Sequence, residues 1–275
     1  MAADPFRIRD HVAGFDEIVG DIRARSLATR RTVAMEANVA YGSEPGETLD
    51  IFLPNNAGSD MPIHMFIHGG YWRMFSKEDY SCLAETVTGA GAVAAIVDYS
   101  VMPTARMDVL VGQVLKAKSF LLAHADRFGA TPRRFSVSGH SAGAHLATFL
   151  FHRSLAPSGV IAAFLLGGLY DLEPLQTSFL RDEIALSDEE VRRFTPMRQE
   201  HDPATRVAIM TGELETNPFK IQANAFRDTL AAQGLEVRAS HVVDGDHMST
   251  VRDLAVHGTP MAAVLRAFIA TSGGS

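Results

Sequence analysis

Residues 135–149 read FSVSGHSAGAHLATF, and the fold follows from how this stretch changes character halfway along. FSVS alternates apolar residues with small polar ones, as a strand does. AHLATF continues with the spacing of a helix packed on one face. Between them stands Gly139-His140-Ser141-Ala142-Gly143, a sharp strand-to-helix turn that pushes a serine hydroxyl out at the end of a sheet. Glycine at 139 and 143 lets the two backbones pass without a clash, and glycine tolerates the unusual dihedrals of such a turn. The N–H groups at the new helix start, Ala142 first, point where a carbonyl oxygen would acquire negative charge.

Working outward, short apolar runs alternate with longer amphipathic ones from about residue 32 to the end, which predicts a mostly parallel sheet flanked by helices, an α/β fold. Strands are expected at 32–39, 48–53, 63–67, 92–98, 134–138, 160–166, 207–211 and 237–243. Helices are expected at 107–128, 142–154, 217–234 and 260–270, with Gly234 placed as a C-cap and Pro260 as a first helical residue. The opening strands follow one another without a helix, so they are expected to pair antiparallel. Residues 171–202 are charged and helical in flavour and no strand follows at once, so they read as a helical cap inserted after the sixth strand. No linker or repeat divides the chain, and a single domain over 1–275 is expected. In such sheets the functional crevice lies at the carboxyl ends of the strands.

A second motif, His68-Gly69-Gly70-Tyr71-Trp72, directly follows the apolar run PIHMFI. Consecutive glycines let N–H groups turn toward a developing oxyanion, so Gly69, Gly70 and Tyr71 join Ala142 as candidate donors. His68 is read as a brace for this loop. A serine hydroxyl is a poor nucleophile at neutral pH and needs a base, which in turn needs an orienting carboxylate. Of the 11 histidines, His247 follows the last strand and precedes the last helix, where a loop can reach Ser141. His140 and His145 flank the serine, and packing roles are expected for both. His64 lies inside a strand, and a metal pair with His68 is not favoured. The acid should follow the strand VAIMT, where Glu213 and Glu215 both stand; Glu215 lies further past Gly212 and has room to swing toward His247. Asp246 is too close to His247 in sequence to orient its ring.

Composition bounds the rest. Of 275 residues, 47% are hydrophobic and 21% charged, ordinary globular proportions that exclude a disordered or collagen-like chain. The formal net charge of −7 argues against a nucleic-acid partner. Cys82 is the only cysteine, so neither an internal disulfide nor a cysteine-rich zinc site can form. The first 26 residues carry charges every few positions and lack the ~7–15 apolar residues of a signal segment. No apolar run approaches the ~20 residues that span a bilayer, so a cytoplasmic protein without membrane contact is expected.

With these residues in view, the chain resembles the α/β-hydrolase superfamily, and within it the kynurenine formamidase (arylformamidase) type and its bacterial esterase-like relatives. The resemblance runs from about Tyr41 to Met261. It is carried by HGGYW at 68–72, GHSAGAHLA at 139–147, GLYDLEPL at 168–175 and ETNPFKIQ at 215–222. It implies a serine hydrolase in which Ser141 is the nucleophile, His247 the base and Glu215 the acid, with the oxyanion loop at 68–72. The animal-type enzymes carry an aspartate as acid, and this chain has a glutamate. No metal or organic cofactor is implied.

The expected substrate is a small molecule with a short acyl group, formyl or acetyl, on an aromatic leaving group. Tyr71 and Trp72 are expected to fill one side of the pocket, with Tyr170 and Met248 adding further faces; against this stands the reading that Tyr71 and Trp72 pack inward beneath the 171–202 segment. The alternatives are a short-chain carboxylesterase of the hormone-sensitive-lipase-like type, and a catalytically silent binding module on the same sheet. A homodimer through the last strand or helix is compatible with the sequence.

Overall fold

Apolar side chains on both faces send a strand to the middle of a sheet, and three runs meet that condition. MPIHMFI forms β3 (Met61–Ile67), VAAIV forms β4 (Val93–Val97) and AAFLL forms β6 (Ala162–Leu166), with every residue buried. The mixed sequences MEANVA and VRASHV form β1 (Met35–Ala40) and β8 (Val237–Val242), the half-exposed edges. With β2 (Thr48–Phe52), β5 (Ala130–His140) and β7 (Arg206–Gly212) they make one eight-stranded sheet of order β1-β2-β4-β3-β5-β6-β7-β8. The computed structural model describes residues 3–56 and 58–271; residues 1–2, 57 and 272–275, part of the domain expected over 1–275, lie outside the described residues.

The β1–β2 and β2–β4 pairs are antiparallel and the rest parallel, as the closely spaced opening strands predict. Ile67 lies beside Gly139, His140 beside Leu166, Leu166 beside Met210, and Gly212 beside Val242. The carboxyl ends of β3, β5, β6, β7 and β8 therefore form one row, and the loops after them open on the same side.

The helices are α1 (Phe15–Thr32), α2 (Leu83–Thr88), α3 (Met107–Ala123), α4 (Ala142–Thr148), α5 (Arg181–Ile184), α6 (Asp188–Phe194), α7 (Asn217–Ala232), α8 (Ser249–Leu254) and α9 (Pro260–Thr271). Three of them, α1, α2 and α8, were not expected. Helix α1 occupies the start of the first expected strand, which begins instead at Met35. Its buried stripe, Val19, Ile22, Ser26 and Thr29, has helical spacing, but half of it is polar and partnered, Ser26 Oγ donating to the Asp79 carbonyl and Thr29 Oγ1 to Glu85. The helices expected over 107–128 and 142–154 end early in 3₁₀ turns. After α4 the chain leaves helical geometry at His152, whose ring accepts the Ser154 N–H.

Between β6 and β7 the insertion places α5 and α6 over the sheet end. Ser187 and Glu190 close a capping box at the start of α6. The Glu190 carboxylate also receives the Arg106 guanidinium at the start of α3, which fastens the cap to that helix. No helix among the described residues is long and apolar enough to cross a membrane.

Candidate active site

At the end of β5 the chain turns as the glycines require. Ser141 has φ 55° and ψ −118°, a left-handed conformation that costs a non-glycine residue of order 1–3 kcal/mol and persists only where its surroundings fix it. They do: the Ser141 N–H donates to Leu166 O at 2.8 Å, tying the turn to β6. A Cβ on Gly143 would lie 2.0 Å from Ile67 O, and one on Gly139 2.3 Å from the Gly143 backbone. Only glycine lets α4 start this close to β3.

The loops after β7 and β8 bring the expected acid and base together. Glu215 Oε2 accepts from His247 Nδ1 at 3.0 Å, and Glu215 Oε1 accepts the Gly212 N–H at 2.9 Å. Both residues are 4% exposed. A Cβ on Gly167, just past β6 with φ +54°, would meet the His247 ring at 3.0 Å and Glu215 Oε1 at 3.2 Å, so this glycine leaves the space the pair occupies. Glu213 is exposed and instead accepts the Asp244 N–H, bracing the base loop. Asp246 accepts the N–H groups of Met248 and Ser249 at the start of α8. Ser141 and His247 line one cavity without a hydrogen bond between Ser141 Oγ and the ring, a looseness common in unliganded sites.

Two side chains set the loop after β3. His68 Nδ1 donates to Gly69 O at 2.8 Å, and Tyr99 Oη donates to His68 O at 2.9 Å while its ring stacks on His68 at 4.4 Å. Burial holds the His68 pKa below its usual value, against the pull of the Asp98 carboxylate 3.6 Å from Nε2. Because N–H and C=O point oppositely across a trans peptide, holding these carbonyls fixes the N–H groups of Gly69 and Gly70, which donate to no other described residue. The loop lies against the serine: a Cβ on Gly69 would stand 3.1 Å from Ser141 Cβ. Ala142 opens α4, so its N–H lacks an intrahelical partner. His64 is no ligand, since its nitrogens face Ser136 and Ser138 at 2.8 and 2.6 Å.

The cavity measures about 190 Å³. His140, Ser141, His247 and Met248 form its floor, and Tyr71 and Phe179 stand at its side. Its roof is the N-terminal strap, with Arg7, Ile8, Arg9 and Asp10 facing in. The strap is tied down at three points: Asp4 accepts the Phe179 N–H of the cap, Pro5 O accepts from Thr216 at 2.8 Å, and Phe6 O accepts from Tyr71 Oη. Nothing in the composition of residues 3–10 announces this role.

Two expected pocket residues are corrected. Trp72 is fully buried away from the cavity; its indole Nε1–H donates to His145 Nδ1 at 3.2 Å, and His145 Nε2 donates to Phe194 O of the cap at 2.7 Å. Positive φ at both Tyr71 and Trp72 curls the chain so that the indole points inward. Tyr170 is also fully buried, stacked on Phe226 of α7 at 4.3 Å. Its backbone N–H donates to the Gln222 side chain, which turns the ring into the core. Tyr71 keeps a cavity-lining position, with its hydroxyl spent on the strap.

Sequence reasoning gave His140 a packing role and passed over Gly167. The signal for the second was present, a Gly167-Gly168 pair directly after a strand. That for the first was its place beside the serine; its ring proves to reach the base loop, with Nε2 2.9 Å from His247 O.

Comparison with known proteins agrees with this architecture. A family model described as BD-FAE matches residues 49–154. A crystal structure from Silicibacter sp. TM1040, provisionally described as a thioesterase, superposes with a TM-score of 0.84 at 21% identity, over 95% of this chain and 97% of the other. The carboxylesterase EstE1 from a metagenomic library superposes at 0.74 with 17% identity, over 96% and 99% of the two chains; both likenesses show the α/β-hydrolase fold. The kynurenine formamidase of Danio rerio is 30% identical over 263 residues, 92% of this chain and 86% of the relative. On that extent of identity the chain belongs to the kynurenine formamidase family, as a hydrolase enzyme of the α/β-hydrolase fold.

Proposed function

We propose that this enzyme removes a small acyl group, formyl or acetyl, from an aromatic amine or alcohol through an acyl-enzyme formed on Ser141. The observation that carries the reading is the His247–Glu215 pair at 3.0 Å, opening with Ser141 on one small cavity. A base whose Nδ1 faces a carboxylate must present Nε2 to the nucleophile, the tautomer that proton removal needs. Ser141 Oγ attacks the carbonyl carbon and its proton passes to His247. The oxyanion is met by the N–H groups of Gly69, Gly70 and Ala142. His247 returns the proton to the leaving amine or alkoxide as the bond to it breaks. Water, deprotonated by His247, then clears the acyl-enzyme.

The cavity volume supports the substrate size. An apolar cavity of about 150 Å³ accepts one benzene ring, so about 190 Å³ holds an aromatic ring and little more. The name of the Danio rerio relative, kynurenine formamidase, supports a formamide, and HGGYW in place of a third consecutive glycine separates the loop from the hormone-sensitive-lipase-like esterases. The test is kcat/KM across N-formylkynurenine, other N-formyl arylamines and aryl esters of increasing acyl length. Formyl and acetyl substrates are expected to lead. A steady climb beyond acetyl, at up to ~0.8 kcal/mol per buried methylene, would replace this reading with a general carboxylesterase.

A further inference from the structure

The residue before the nucleophile does something the triad does not require of it. His140 is 1% exposed, lies on the cavity floor, and directs Nε2 at the backbone carbonyl of His247 at 2.9 Å. A carbonyl only accepts, so Nε2 carries the proton. Nδ1 is then free to accept from Tyr80 Oη, which stands 3.5 Å away. Burial and the neighbouring His247 hold the His140 pKa well below its ordinary value, and the bond to the His247 carbonyl selects this tautomer. The rings of His140 and His247 are 4.7 Å apart, and Phe219 flanks the base at the same distance.

The bonds that brace the base loop, Asp244 N–H to Glu213, Leu214 N–H to Gly245 O, and the Met248 and Ser249 N–H groups to Asp246, do not reach the main chain of His247. The loop follows β8, the exposed edge strand, and Val243 beside it is 76% exposed. Glu215 holds the His247 ring but not the main chain that carries it. Apart from the intrahelical turn to Thr250 Oγ1 at 3.3 Å, the His247 carbonyl is held by His140.

We propose that His140 is a positioning residue, which through its Nε2–H grips the main chain of the base and ties it to the strand that carries the nucleophile. The inference rests on Ser141 and His247 acting as nucleophile and base. A bond from the residue next to the serine fixes the serine-to-imidazole distance directly, and a misplacement of about 1 Å in such a pair can cost roughly 100-fold. Substrate binding does not use the bond, so its loss should fall on kcat and leave KM alone.

The test compares two polar replacements of similar size. In His140→Gln an amide N–H can reach the position of Nε2, whereas in His140→Asn it falls short by about one bond. The His140→Asn enzyme is expected to lose roughly 10- to 100-fold in kcat with KM little changed, and to react with a fluorophosphonate more slowly by the same factor. His140→Gln should restore both to near wild type. Equal kcat in His140→Asn and wild type, or equal loss in Asn and Gln, would overturn the proposal. Ser141→Ala assayed alongside separates the two levels: if it stays active, the reading of the site fails and this inference with it. If it is inert while His140→Asn turns over normally, only the role of His140 fails.

Discussion

Ser141, His140, Glu215 and His247 are each 4% exposed or less, whereas the side chains of Arg7 and Arg9, which line the same cavity from above, are 48% and 57% exposed. The floor is held by short hydrogen bonds between buried groups and by glycines whose Cβ atoms would collide with backbone or with the base. A change there leaves a buried polar atom without a partner, at about 1–3 kcal/mol each. The roof is held by three hydrogen bonds from the strap, by the burial of Phe6 and Ile8, and by surface ion pairs such as Arg9–Asp16 at 2.5 Å and Arg73–Glu183 at 2.6 Å, these last worth ~0–1 kcal/mol apiece. Polar groups thus hold the floor, whereas apolar burial together with surface charge holds the roof.

The floor should break most completely at the serine. Ser141→Ala is expected to lower kcat by roughly 10⁴-fold or more, because triad members act as a unit, with a melting temperature near wild type. Since alanine inherits the φ of 55°, folding is not relieved of its local strain. Near-normal turnover in a cleanly folded variant would remove Ser141 from the mechanism.

A smaller effect separates two glutamates two positions apart in one loop. Glu215→Gln turns an amide toward His247 Nδ1 and favours the wrong tautomer, so kcat should fall by roughly 10³- to 10⁴-fold. Glu213→Gln touches only the Asp244 N–H and should cost less than about threefold, as surface changes do. Steady-state kinetics on both variants decides the assignment, and the reverse order would move the acid to Glu213.

The smallest effect belongs to the roof and is one of preference. Ile8→Ala enlarges the cavity without touching the floor, so kcat on a formyl or acetyl substrate should hold while longer acyl chains gain. Each methylene newly accommodated is worth ~0.8 kcal/mol, about fourfold in kcat/KM. An acyl-length series on the variant checks this, and a collapse of kcat on the short substrates would show that roof and floor are not separable.

The candidate site was legible in the sequence where its residues are encoded next to one another. Gly139 through Gly143, His68 through Gly70, and the positions of Glu215 and His247 just past strands each declare a strand-to-loop transition by residue type. The direction of a side chain is harder to read. Trp72 was expected in the pocket because it follows the oxyanion glycines, and only the left-handed backbone at 71 and 72 sends it inward to His145. Helix α1 escaped notice because its buried stripe contains Ser26 and Thr29, whose partners lie in other elements. The strap was invisible for a related reason: residues 3–10 have ordinary composition, and their meaning lies in contacts with Phe179 and Thr216.

Those contacts span 175 and 211 residues. Closing so long a loop adds little to its cost, because the entropy grows only with the logarithm of length, and the three bonds are backed by the burial of Phe6, Ile8 and Val12 in the core. A segment opens locally at a free energy set by the contacts it buries, and amide exchange reports such segments as cooperative units. The roof of the cavity is therefore expected to share the protection of the cap and of the start of α7, to which residues 4 and 5 are bonded, and amide exchange across residues 5–12 checks this.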